Sequence, residues 1–160
     1  MEDVKIRAAR PADGDAVARM AAELSAHEGM PAPDFTADGF SAEGFGPDAA
    51  FATVIAERDG KPIGYALYYG GYDVQTGSRG RHVADLYVAF GHRGQGIGRA
   101  LLAAVARAGK AQGAAWLVLQ VNRHNEMGEA FYRALGGKED RDRVYVFDGE
   151  VFLTLATGPG

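Results

Sequence analysis

The sequence predicts an α+β domain in which a central sheet of about seven strands is flanked by about four helices. Four segments carry apolar residues at helical spacing, and seven others alternate or run apolar over strand-like lengths, interleaved along the chain. Two Asp-Gly pairs, Asp59-Gly60 and Asp148-Gly149, fall between strand-like runs, where hairpin turns sit. The 160 residues, 47% of them hydrophobic, suffice for one core and are few for two.

Taken in order, Val4 to Ala8 alternates apolar and charged residues as a half-buried strand does. Pro11 then opens a helix from Asp13 to about Glu28, with Ala16, Val17, Met20, Ala21 and Leu24 on one face. Gly29 to Pro33 breaks it. Thr36 caps a short helix through about Glu43, which Gly44 and Gly46 end. Phe51 to Glu57 and Ile63 to Tyr72 form a hairpin, and after a polar loop from Gln75 to Gly80 a third strand runs from His82 to Ala89. A helix over Gly98 to Lys110 turns Leu101, Leu102, Val105 and Ala108 inward. The nearly continuous apolar run Trp116 to Val121 reads as a strand buried on both faces. Asn125 caps a helix from Glu126 to Leu135, stopped by Gly136-Gly137. Arg143 to Phe147 and Glu150 to Ala156 complete the pattern as a final hairpin, leaving residues 158–160 as a loose tail.

Composition narrows the function. With no cysteine, disulfides, thiolate metal sites and cysteine nucleophiles are excluded. No apolar run approaches the roughly 18 residues of a membrane span, and the first residues lack a secretion-signal pattern, so a cytoplasmic protein without membrane contact is expected. The net charge of −4 is unevenly spread: residues 86 to 125 hold five Lys and Arg and no carboxylate. That stretch suits a small polyanion, whereas the acidic remainder disfavours nucleic acid. His82, His92 and His124 are too scattered to suggest a metal site.

The acid-free stretch opens on Gly91-His92-Arg93-Gly94-Gln95-Gly96-Ile97-Gly98-Arg99, a glycine-rich turn between strand and helix. Such a turn lets backbone amides and a helix N-terminus converge on phosphate. It is not a P-loop, because Ile97 and Gly98 stand where Lys and Ser or Thr are needed. Nor is it a dinucleotide fingerprint, because Arg99 takes the third glycine position and no acid precedes Glu126. Arg93, Gly96 and Gly98 instead fit the pattern Arg/Gln-x-x-Gly-x-Gly/Ala. Together with Ile6-Arg7-Ala8-Ala9, Asn125 and Phe131-Tyr132-Arg133-Ala134-Leu135-Gly136, the chain resembles the GCN5-related N-acetyltransferase (GNAT) family.

That resemblance implies an acyl-coenzyme A N-acyltransferase fold over residues 1–157: an α/β sandwich with a mixed, mostly antiparallel sheet, splayed between its fourth and fifth strands for the pantetheine arm. It also implies acetyl-coenzyme A (acetyl-CoA) as co-substrate and no metal. Within the family the chain is most similar to the diamine (spermidine/spermine) and thialysine branch. Matching segments include Glu23-Leu24-Ser25-Ala26-His27-Glu28, Ile63-Gly64-Tyr65-Ala66-Leu67-Tyr68-Tyr69 and Asp85-Leu86-Tyr87-Val88. The branch usually carries a Glu-Asp pair on strand four, and Ala84-Asp85 departs from it.

Carried over residue by residue, the resemblance implies that backbone groups of Leu86, Tyr87 and Val88 pair with pantetheine. The pyrophosphate falls to Arg93, Gly94, Gln95, Gly96, Ile97, Gly98 and Arg99. Asn125 and Tyr132 lie seven residues apart, two turns of one helix face, and address the same ligand. Tyr132 takes the role of acid toward the leaving thiolate. A lysine-like amine, with a pKa of about 10.4, must lose a proton before it attacks; Asp85, or Glu28 through water, is expected to take it, with His27 and Glu28 on the acceptor side. The expected function is direct acetyl transfer to a primary amine of a diamine, polyamine or lysine-like amino acid by a homodimer. Acetylation of a protein or peptide amine, and a non-catalytic acyl-CoA sensor, are the alternatives.

Overall fold

The computed structural model describes residues 3–140, 142 and 144–157. Its elements run β1 (Val4–Ala8), α1 (Gly14–His27), α2 (Ala37–Glu43), β2 (Ala52–Arg58), β3 (Lys61–Asp73), β4 (Ser78–Val88), α3 (Ile97–Ala111), β5 (Ala114–Leu119), α4 (Glu126–Ala134) and α5 (Gly149–Thr157). The strands form one sheet in the order β1-β2-β3-β4-β5. Pairing is antiparallel from β1 through β4 and parallel between β4 and β5. Parallel neighbours need a crossover, and α3 supplies it.

Successive residues of the central strands enter opposite cores, as a period of two requires. Val54, Ala56 and Ala66 meet Ile97, Leu101 and Val105 of α3 on one face. Their neighbours Ile55, Tyr65 and Leu67 meet Val17 and Met20 of α1 and Phe40 of α2 on the other. The sheet is thus sandwiched between helices, the expected α+β architecture.

Local chemistry sets the boundaries. Asp59 and Gly60 both take positive φ, 50° and 74°, in the tight turn joining β2 to β3. Thr36 caps α2 by accepting from the Gly39 amide at 3.0 Å. Arg7 of β1 donates to both Asp13 oxygens at 2.8 Å and to Glu57 of β2 at 2.7 Å, tying the turn before α1 to the sheet. The Arg7 guanidinium holds the Asp13 carboxyl below the usual carboxylate range despite burial.

Five strands stand where about seven were expected, and the difference lies at the C-terminal end. The anticipated hairpin, Arg143 to Phe147 with Glu150 to Ala156, is replaced by α5, while 144–148 carries no regular structure. Arg143 and the tail 158–160 lie outside the described residues. The run Val151-Phe152-Leu153 lacks strand alternation. Local bonds such as Phe152 N to Asp148 O at 3.2 Å and Thr157 Oγ1 to Leu153 O at 2.8 Å need no partner strand. As a consequence β5, expected to be central, is an edge strand, with Leu117 36% and Val118 38% exposed.

Candidate active site

Strand β4 passes from paired to open along its own length. Its pairing with β5 ends at Val83 opposite Leu119, whereas its pairing with β3 continues to Val88 opposite Gly64. One edge of residues 84–88, including Leu86, Tyr87 and Val88, therefore faces a gap that an extended ligand can fill as an added strand. At the mouth of this gap the β3–β4 register shifts: Leu67 opposes Asp85 and Tyr68 opposes Val83, so Ala84 is the extra residue of a β-bulge. Bulges re-aim side chains beside sites, and the adjoining side chain here is Asp85.

Past the end of β4 the chain makes the glycine turn. Gly94 and Gly96 take φ of 73° and 78°, a region that costs other residues about 1–2 kcal/mol. Gly96 is the N-cap of α3 and has no side chain to cap the first amides, which stay available to an anion at the positive end of a 15-residue helix. The loop side chains brace the turn. Arg93 Nε donates to Val88 O at 2.9 Å, its Nη1 lies 3.4 Å from His27 Nε2, and its guanidinium lies over the rings of Tyr87 and Phe90. Arg58, at the end of β2, donates to Gln95 Oε1 at 2.8 Å and to His92 Nδ1 at 3.0 Å. Phe131 of α4 packs so close to Gly98 that an added Cβ would lie 3.2 Å from its Cζ, bringing α4 against the start of α3.

On the α1 face of the sheet, next to the bulge, lies a cavity of about 370 Å³. Two carboxylates line it, Glu28 just after α1 and Asp85 on β4, and its walls include Leu24, Phe35, Phe51 and Leu67. The phenol of Tyr65, a fully buried side chain, donates to Asp85 Oδ2 at 2.7 Å. Tyr65 opposes Tyr87, so Asp85 is its diagonal neighbour on the same face. Burial, followed by the Asp85 charge, pushes the Tyr65 phenol far above its ordinary value, so it stays a proton donor. Tyr132, on the inward side of α4, is likewise pushed up by burial and then by Glu28. Glu28 adds to the upward shift of both phenols, after burial.

The structure brings Glu28 and Asp85 together in the cavity, sets Leu86 to Val88 and the turn from Arg93 to Arg99 on the chain that follows Asp85, and packs Tyr132 with the α3-side cluster. Asn125 caps α4, its Oδ1 accepting from the Gly128 amide at 2.9 Å, which leaves its Nδ2 hydrogens for other contacts. His27 reaches Arg93. His82 lies away from this group, stacked on Tyr69 and edge-on to Trp116. Sequence reasoning missed Tyr65 and Arg58 as supports, together with Glu23, which accepts from the Tyr87 phenol at 2.9 Å. No pattern signals these bonds, because each joins segments well apart in the chain.

Comparison with known proteins agrees with this fold. The model of the acetyltransferase (GNAT) family matches residues 19–136. Thialysine N-epsilon-acetyltransferase from Sus scrofa is 31% identical over 169 aligned positions that cover 98% of this chain and 99% of that protein. A spermidine/spermine N(1)-acetyltransferase-like protein from Homo sapiens is 36% identical over 64% of this chain, but over only 16% of its own length. Among solved structures, an integron cassette protein from V. cholerae superposes with a TM-score of 0.82 at 22% identity, covering 99% of this chain and 100% of that one. A ribosomal-protein-alanine N-acetyltransferase from Brucella melitensis biovar Abortus 2308 gives 0.75 at 26%, covering 91% and 99%.

Proposed function

Because the chain belongs to the acetyltransferase (GNAT) family, we propose that it moves the acetyl group of acetyl-CoA directly to a primary amine of a small cationic acceptor. One observation carries this: two carboxylates, Glu28 and Asp85, line a cavity beside the open edge of β4, within reach of a glycine turn made for phosphate. The relatives named for thialysine and for spermidine/spermine support a small amine as acceptor.

The residues present fit the co-substrate. The uncapped N-terminus of α3 and the positive-φ glycines suit its pyrophosphate, and the unpaired edge at Leu86 to Val88 suits an extended pantetheine arm. Acetyl-CoA supplies the activated acyl group. Asp85 attracts the acceptor ammonium and takes a proton from its nitrogen, with its carboxylate held by the Tyr65 phenol. An amide at the open edge polarises the thioester carbonyl. The Tyr132 hydroxyl, kept protonated by burial and by Glu28, delivers a proton to the departing sulfur. Mass spectrometry of an amine mixture incubated with acetyl-CoA tests the reading: N-acetylated amine supports it, and an unmodified mixture beside a bound donor contradicts it.

A homodimer is part of the proposal. Tyr145, Phe147, Phe152 and Leu153 are 57–77% exposed, and among the described residues β5 is an edge strand. Exposed large apolar side chains and an open strand edge suit contact between copies, and sedimentation as a monomer at micromolar concentration would oppose it.

A further inference from the structure

The acceptor cavity has a composition that discriminates among amines. Its charged groups are Glu28 and Asp85, and no Lys, Arg or His lines it. The guanidinium on the adjoining loop, Arg93, is taken up by Val88 O, His27 and two aromatic rings. A substrate carboxylate entering this space meets two like charges and no cation, whereas burial of an ion without a partner is among the costliest events in recognition. A lysine-like amino acid is therefore poorly served.

Apart from Ser25 the rest of the cavity lining is apolar, and Phe35 and Phe51 make part of it aromatic. Phe35 and Phe51 lie 6.0 Å apart, and Phe40 behind them is 6.2 Å from Phe35 and 6.0 Å from Phe51. Aromatic walls gather apolar and ring-bearing ligands. The Asp85 carboxylate is held by the Tyr65 phenol at 2.7 Å, and both acids lie in the same lining as the rings. At about 370 Å³ the space suits a small ligand.

We propose that the preferred acceptor is a primary amine with a compact apolar or aromatic body and no carboxylate, its amino group toward Glu28 and Asp85 and its body against Leu24, Phe35, Phe51 and Leu67. The proposal rests on the acetyltransferase reading and narrows its substrate class. It sets this chain apart from relatives named for thialysine, an amino acid, and for spermidine.

The test is kcat/KM at saturating acetyl-CoA for 2-phenylethylamine, butylamine, putrescine, spermidine, lysine and thialysine. The two monoamines are expected to exceed lysine and thialysine by at least about tenfold, from one unpaired buried carboxylate at about 1.4 kcal/mol per factor of ten, and to exceed spermidine, which has no compact apolar body. Phe35→Ala is expected to raise KM for 2-phenylethylamine several-fold more than it raises KM for butylamine. Preference for lysine, thialysine or a polyamine overturns the proposal and leaves the acetyltransferase reading standing. Release of no thiol with any amine overturns that reading, and the proposal with it.

Discussion

Removing one oxygen atom, in Tyr65→Phe, isolates the contact that orients the proposed base. The Tyr65 phenol is buried and donates to Asp85 Oδ2 at 2.7 Å, and the phenyl ring that replaces it keeps the packing against Tyr87. What is lost is a hydrogen bond to a charged group, worth about 1.5–3 kcal/mol. If that bond holds Asp85 in its productive orientation, the loss appears as a fall in acceptor kcat/KM of about 10- to 100-fold, at about 1.4 kcal/mol per factor of ten. Donor affinity is expected to stay within about twofold, because Tyr65 lies on the carboxylate side of β4 and away from the glycine turn. The assay is thiol release at saturating acetyl-CoA over a range of amine, paired with calorimetric titration of the donor. A folded Tyr65→Phe protein with unchanged acceptor kcat/KM refutes the positioning role. A parallel loss of donor affinity points instead to general disruption.

Other perturbations separate the parts of the site. Tyr132→Phe is expected to lower kcat about 100-fold, within the range for a lost general acid, with donor affinity unchanged by calorimetry. Gly96→Asp puts a side chain at a φ of 78° and a negative charge at the N-terminus of α3, so the donor Kd is expected to rise at least tenfold in the same titration. Asp13→Asn breaks a largely buried pair while Arg7 keeps Glu57, at a cost of about 3 kcal/mol. For a chain of this size that is a drop in Tm of about 6–12 °C, read by calorimetry near pH 7. The sign with pH follows from the lowered Asp13 pKa: its stabilisation is full above the unfolded value of about 3.9 and is lost as pH falls through the folded one. The gap between wild type and Asp13→Asn should therefore close in acid.

Features written in contiguous residues were legible. The Asp59-Gly60 turn, the caps at Thr36 and Asn125 and the glycine turn before α3 each depend on a few neighbours, and each stands as expected. Contacts across the sheet were not legible, because they depend on register. The Tyr65–Asp85 bond requires Leu67 opposite Asp85, and the bulge at Ala84 shifts every pair below it by one residue. Ala84 is the bulged residue and carries only a methyl, and Asp85 and Glu28 are the acids in the cavity lining. The end of the chain misled for another reason. Val144 to Phe147 and Val151 to Leu155 are apolar enough for strands, but a strand needs a paired edge, and within the described residues the second segment closes its hydrogen bonds locally in α5. The apolar run of β5 implied burial on both faces, which the missing hairpin leaves unrealised.

The central claim is that a donor site of backbone amides and an acceptor site of carboxylates meet at the open edge of β4. Thiol release from acetyl-CoA, measured with and without amine for wild type and Asp85→Asn, tests it most directly, with donor affinity measured alongside. Release is expected from wild type only when amine is present, and from Asp85→Asn at least tenfold more slowly with donor affinity unchanged. Donor binding by wild type with no amine-dependent release, or full activity in Asp85→Asn, would contradict it.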